Sequence, residues 1–238
     1  MRPIDKGTWP LDANLKKIEF NSWGEAKPYL IKNTGRFCHF CEMKLDNSPG
    51  IEHIKPKALK HSPNLQNHWD NLMLSCVYCN SRKTKDQIKL YNYYWPHKHN
   101  TFKALNITNL GVIIVDPAII NPSQVEKANN LIQLYGLNES EDSSGGIDSR
   151  LLARLESLSN ALERLNEFER GLCTINAIIA NASSGGFWSV WYRVFANHIT
   201  VRDALIKAPT FNGTMAACFN AASRLDPIDR NPGASDPL

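Results

Sequence analysis

The sequence predicts an α+β fold in two parts: a small, turn-rich domain over residues 1–110 and a mainly α-helical domain over 111–238 that ends in a flexible tail. Three observations predict it. Two Cys-x-x-Cys pairs, Cys38/Cys41 and Cys76/Cys79, close a segment of 34 intervening residues with little clean periodicity. From about residue 121, apolar residues recur every three or four positions, the helical period. Charge divides the same way: residues 1–100 carry 16 Lys/Arg and 9 Asp/Glu, net +7, and residues 101–238 carry 11 and 14, net −3.

The elements follow in order. Residues 1–35 read as a leader, extended at Pro3 and Pro10, with a short helix from Trp23 to Lys32 that ends near Gly35. Residues 36–100 hold the two knuckles, with turns at 47–50 and 61–64. Phe102–Ile107 and Gly111–Val115 read as a hairpin around Thr108-Asn109. Asn121-Pro122 starts a helix that runs to about 135, and Gly136 stops it. Asp148 caps a longer helix with a stripe of Leu151, Leu155, Leu158, Leu162, Leu165 and Phe168, closed at Gly171. This stripe reads as core packing, with a partner-binding face as the sharper alternative. Further helices are expected over Leu172 to about Ala182 and over Phe187–Lys207. Residues 139–146 form an acidic loop, and 225–238 read as a loose tail.

The composition bounds the function. The chain is 42% apolar and 21% charged, the balance of a globular protein. It has no run of about 18 apolar residues and no apolar N-terminal core, so a cytoplasmic protein is expected. In a reducing compartment the four knuckle cysteines suit a metal better than disulfides. Two knuckles supply four thiolates, which read as one closed, structural zinc site. Zinc then substitutes for a core in the turn-rich segment. The basic half suits phosphate backbones.

Inside the zinc-closed loop lies Ile51-Glu52-His53-Ile54, and around the second knuckle lie Asn71 and Asn80. Hydrolysis of a phosphodiester needs a base for water, a cation for the developing charge, and fixed positions for both. His53 can be that base, because a neutral imidazole is available near pH 7. Glu52 and Asn80 offer hard oxygens for one divalent cation, magnesium or manganese. Asn71 can fix the loop that bears His53 through backbone hydrogen bonds. Arg82, Lys83 and Lys85 follow on the helix after the knuckle and can meet substrate phosphates, as can Lys55 and Lys57 beside His53.

These residues resemble the HNH endonucleases with their ββα-metal core. The strings that carry the resemblance are Glu52-His53-Ile54, Asn71-Leu72, and Cys76-x-x-Cys79-Asn80-x-x-Lys83. The resemblance implies His53 as general base, Glu52 and Asn80 on the catalytic metal, and Asn71 orienting the loop. Glu52 departs from the aspartate of many members, and Asn80 from their histidine. Looser strings at 1–7, 51–57, 69–76 and 134–138 are similar to the PtuB-like HNH subunits of Septu-type and retron-linked Septu anti-phage systems. That resemblance implies a PtuA-like ABC/SMC-like ATPase as partner, with a retron reverse transcriptase and its msDNA where a retron is present. It also implies a DNA or RNA substrate, tRNA included. The competing reading is a zinc-stapled binding module without catalysis.

Other histidines and aromatics have plainer readings. His39 is expected to pack or meet solvent inside its knuckle. His61 and His68 read as loop histidines, and His198 as structural. The run Tyr91-x-Tyr93-Tyr94-Trp95 before His97 and His99 reads as core rather than as a base-stacking platform.

Overall fold

The computed structural model describes residues 1–46, 49–56, 63–83, 88–139, 141, 146 and 148–238. In the N-terminal part, helix α1 spans Lys27–Thr34, preceded by a 3₁₀ turn over Trp23–Ala26. Pro28 sits in its first turn, where a missing N–H costs nothing. Strand β1, Gly50–His53, pairs antiparallel with β2, Leu72–Ser75, in the register Glu52 opposite Met73 and His53 opposite Leu72. Helix α2, Val77–Arg82, starts immediately after the second strand.

The hairpin is shorter than expected: residues 102–104, read as strand, belong to a one-turn helix α3, Thr101–Ala104, and the strands are β3, Leu105–Ile107, and β4, Ile113–Val115. Helix α4, Pro122–Leu134, is capped by Asn121, whose side chain accepts from the Ser123 amide. Helix α5, Ser149–Glu169, is capped in the same way by Asp148. Helix α6 covers Ile175–Gly185; it starts three residues later than predicted because Thr174 Oγ1 takes the Ala177 amide as its cap. Strands β5, Phe219–Asn220, and β6, Asp226–Pro227, form a small closing ribbon.

The single helix expected over 187–207 is two, α7 over Trp188–Val194 and α8 over Ile199–Lys207. The chain breaks after Phe195. The Arg202 guanidinium holds the break open by donating to Ala196 O at 3.3 Å and Arg224 O at 2.7 Å.

Two apolar cores form, and each draws on residues from both sides of position 110. The first core includes Phe40, Trp69, Met73 and Trp95, but also Leu131 of α4, Tyr135 and Leu137. Tyr135 stacks on Phe40 at 4.0 Å. The second core unites Trp188, Trp191, Tyr192 and Phe195 with Phe37 and Phe102 from nearer the N-terminus.

Both ends of the chain are packed. Residues 1–6 are no mere leader: Arg2 donates to Thr34 O at 2.7 Å, and Lys6 Nζ to Trp69 O at 2.6 Å. The expected loose tail is folded back. Asp236 accepts from Tyr94 Oη at 3.0 Å and pairs with Lys127 at 2.5 Å, and Leu238 is 2% exposed in the first core.

The leucine stripe of α5 packs in part as expected, with Leu158, Leu165 and Phe168 against the second core, but the helix is most buried on the line beside it. Its buried line is Arg150, Arg154, Ser157 and Ala161, while Leu162 is 52% exposed. The wall facing the start of α5 consists of backbone carbonyls at Gly111, Tyr135, Gly136 and Leu137, which take N–H donors. Methyl groups there would leave those carbonyls unpaired. Among the described residues no helix is long and apolar enough to cross a membrane.

Candidate active site and metal centre

The four knuckle cysteines converge. Their Sγ atoms all lie within 4.8 Å of one another, all four residues are buried, and Cys41 and Cys76 are 3.6 Å apart. A tetrahedral zinc with bonds near 2.3 Å has sulfur–sulfur edges of about 3.8 Å, so the donor set and spacing fit that ion. Burial, and then the neighbouring Cys38, push the Cys41 and Cys79 thiols well up. Burial opposes the Cys38 thiolate too, but hydrogen bonds from the other three sulfurs outweigh it and bring that thiol well down. Cys76 also caps α2, because its Sγ accepts the Cys79 amide at 3.4 Å.

His39 packs, as one of its two readings had it, and binds the first knuckle to β2. Its backbone N–H reaches Leu74 O at 3.0 Å, and its Nδ1 accepts the Leu74 amide at 3.2 Å. Nε2–H then faces Thr34 Oγ1 at 2.8 Å. Burial, then Arg2, pushes this imidazole down to about 3, so it stays neutral.

The strand braced in this way ends in Glu52 and His53, each 6% exposed. His53 lies against Trp23, ring centroids 5.5 Å apart, and its Nε2–H donates to Gln66 O at 2.8 Å. A neutral ring that donates from Nε2 carries its lone pair on Nδ1. Asn71 clamps the loop that follows. Its side chain donates to Lys55 O and Leu65 O, both at 3.0 Å, and accepts the Lys55 amide at 2.7 Å. The buried amide thus ties both ends of the segment between β1 and the 3₁₀ turn at Trp69–Asn71.

Asn80 is exposed on α2 beside β1. A Cβ placed on Gly50 would lie 3.6 Å from its amide and 3.1 Å from Ser75 O. Gly50 and Glu52 share one face of the strand, so Glu52 and Asn80 border the same side. A carboxylate and an amide oxygen suit a hard divalent ion. Lys83 already offers a charge there: its Nζ lies 2.6 Å from Glu52 Oε1 and also donates to the His53 carbonyl. Burial raises the Glu52 carboxyl and lowers the Lys83 ammonium, and each partner opposes the other's shift.

The predicted phosphate-facing residues are placed differently from one another. Lys83 turns inward rather than toward solvent. Arg82 pairs with Glu139 and donates to Glu141 O at 2.6 Å. Lys55 is exposed beside a cavity of about 200 Å³ lined also by His68, Asn71, His97 and Lys98. Lys57, Lys85 and His61 lie outside the described residues. Of the run read as core, Tyr94 and Trp95 are buried and Tyr93 partly so, but Tyr91 is 68% exposed; His99 Nδ1 accepts the Trp95 amide at 2.8 Å. His198 is tied to Glu169 at 3.2 Å.

Two contacts lay beyond the sequence. Gln66 fixes the His53 tautomer with a backbone carbonyl, which no residue type signals. Arg150 reaches Cys79 Sγ at 3.3 Å from 71 residues away.

The class of the site is carried by residues 38–86, which match the family model of the HNH endonucleases; the match contains all four cysteines and Glu52, His53, Asn71 and Asn80. Beyond that segment, the chain is similar to the Septu protein PtuB of Bacillus thuringiensis, with 26% identity over 159 residues. The alignment covers 55% of this chain and 60% of the relative, so the chain spans about 60% of that relative's length.

Proposed function

We propose that this chain is a metal-dependent HNH endonuclease, the nuclease effector of an anti-phage complex with a PtuA-like ABC/SMC-like ATPase. The observation that carries the reading is the bracing of Glu52-His53 between a zinc knuckle and the Asn71 clamp. A binding module has no need of an imidazole held in one tautomer at the end of a braced strand. The match over residues 38–86 and the similarity to Septu PtuB support the nuclease and its defence setting. A retron reverse transcriptase with its msDNA is a further partner of the same reading.

His53 takes the proton of the attacking water. Its Nε2–H bond to Gln66 O orients the ring and disperses the charge that the ring gains. Asn71 keeps the loop from drifting as the ring charges. Glu52 and Asn80 would hold magnesium or manganese, which when bound offsets charge on the phosphate and the leaving oxygen. Lys55, Lys57 and Lys85 supply positive charge for the backbone of DNA, the substrate proposed first, with RNA or tRNA as the second arm of the test. Zinc thiolates of this kind belong in the reducing cytoplasm.

One observation favours the second reading, a zinc-stapled subunit that binds without cleaving: Lys83 already neutralises Glu52. A single assay separates the two. The chain with its ATPase partner is incubated with plasmid DNA or tRNA and magnesium, beside His53→Ala. Cleavage that the variant loses, with zinc content unchanged, supports the nuclease. Equal products, or none, from both complexes with either substrate overturn it.

A further inference from the structure

Arg150 belongs to α5, well outside residues 38–86, and is 1% exposed. Its guanidinium has five N–H donors, and all five have partners. Nη1 donates to Cys79 Sγ at 3.3 Å and to Tyr135 O at 2.7 Å. Nη2 donates to Gly136 O at 2.6 Å and to Asp148 Oδ2 at 2.5 Å, and Nε reaches both Asp148 oxygens at 2.9 and 3.0 Å. The fork is therefore locked on four sides, and its thiolate contact is not a chance of a mobile surface arginine.

Charge points the same way. Four thiolates around one dication leave a formal charge of about −2 in a buried place. The Arg150 guanidinium lies between the Asp148 carboxylate at 2.5 Å and the Cys79 sulfur at 3.3 Å, so its charge faces negative groups on two sides. One turn on, Arg154 is 0% exposed and donates to Gly111 O at 2.6 Å and Leu137 O at 3.2 Å. No carboxylate pairs with it among the described residues; Cys41 and then Glu42 supply the attraction that offsets part of its burial. A buried guanidinium without an acid needs a counter-charge, and the metal–thiolate cluster is one.

We propose that Arg150 is a positioning member of the zinc centre: its N–H bond to the Cys79 thiolate lowers that sulfur's basicity and slows metal loss. The metal site is thereby built from both parts of the chain, with α5 supplying the outer donor. This rests on the reading of the four cysteines as a zinc site. Outer hydrogen bonds of this kind commonly change metal affinity by roughly 10–100-fold.

The test uses the full chain loaded with zinc or cobalt. Zinc transfer to an excess of a chromogenic chelator is timed, and the sulfur-to-cobalt charge-transfer band is recorded. Arg150→Met is expected to speed zinc transfer about 10–100-fold and to move the cobalt band to lower energy. Arg164→Met, on the same helix with its guanidinium on Glu167 at 2.7 Å, is expected to match wild type in both. Where Arg150→Met does not fold, Arg150→Gln keeps a donor for the Tyr135 carbonyl but falls short of the sulfur, and it carries the same expectations. A folded variant with wild-type release overturns the proposal. So does faster release with an unmoved cobalt band, which means packing alone. A wild-type chain that takes up neither metal overturns the reading of the four cysteines, and this inference with it.

Discussion

The two cores share apolar packing and differ in what is added to it. Around the knuckles, four sulfurs, His39, Asn71, Arg150 and Arg154 add directed bonds to the packed rings and aliphatic groups, most of them to backbone groups. The second core is a cluster of rings: Trp188 stacks on Tyr192 at 4.5 Å, and Phe102 and Phe219 meet both edge-on or tilted. Directed bonds set positions closely but depend on every partner and on the metal. Ring packing tolerates small shifts and asks only for volume. The chemistry sits on the side where position matters.

The largest expected effect tests the metal side. Cys76→Ser removes a zinc ligand and the cap of α2 together. Metal-coupled folding contributes on the order of 10 kcal/mol in small zinc domains. The expected outcome is loss of zinc by elemental analysis and loss of amide protection over 36–83, with α6–α8 still protected. Uniform loss of protection across both cores would show one cooperative unit and break the contrast.

Next comes His53→Ala, expected to lower cleavage by the partnered chain about 10²–10⁴-fold with an unchanged melting temperature. A fall in stability as large as the fall in rate would make His53 a packing residue. On the ring side, Trp188→Ala is expected to cost about 3–5 kcal/mol in denaturant unfolding and to leave zinc content intact. Zinc loss in that variant would show that the two cores do not fail separately.

The smallest expected effect is a pH dependence. Burial pushes His99 down to about 4 from 6.5, and its Nδ1 must stay unprotonated to accept the Trp95 amide. A folded pKa below the unfolded value means that this stability is complete above pH 6.5 and is lost as pH falls toward 4. The loss is at most about 3 kcal/mol at 1.36 kcal/mol per unit. His99→Gln is expected to flatten that slope in urea titrations at pH 4–7.

What the sequence revealed and what it hid follow the same contrast. Cys-x-x-Cys pairs and Glu52-His53 are local strings whose chemistry needs those residue types at those spacings, so they were legible. The hairpin and the caps of α4 and α5 were legible for the same reason. Arg150 was not, because its partners are carbonyls and a sulfur that only the folded chain brings together. The stripe on α5 gave the right period and packs at Leu158, Leu165 and Phe168, but the deepest line beside it was missed, since a count of apolar residues is blind to a wall of carbonyls. At the break between α7 and α8 Arg202 donates to Ala196 O and to Arg224 O, and the second of these contacts is one that no local pattern encodes. Lys83 was read as a contact for substrate phosphates, and only the fold shows it turned onto Glu52.

The folded-back tail has a consequence in time. Leu238 and Asp236 complete a core whose other apolar members end at Leu137. A ribosome adding roughly 5–20 residues per second delivers the intervening hundred or so residues in about 5–20 s. Through that interval the knuckles are made but the core beneath Tyr94 is open on one side. The first core therefore gains Leu238 only after the helices of the second have been made, and a nascent chain carries its candidate active site without that contact.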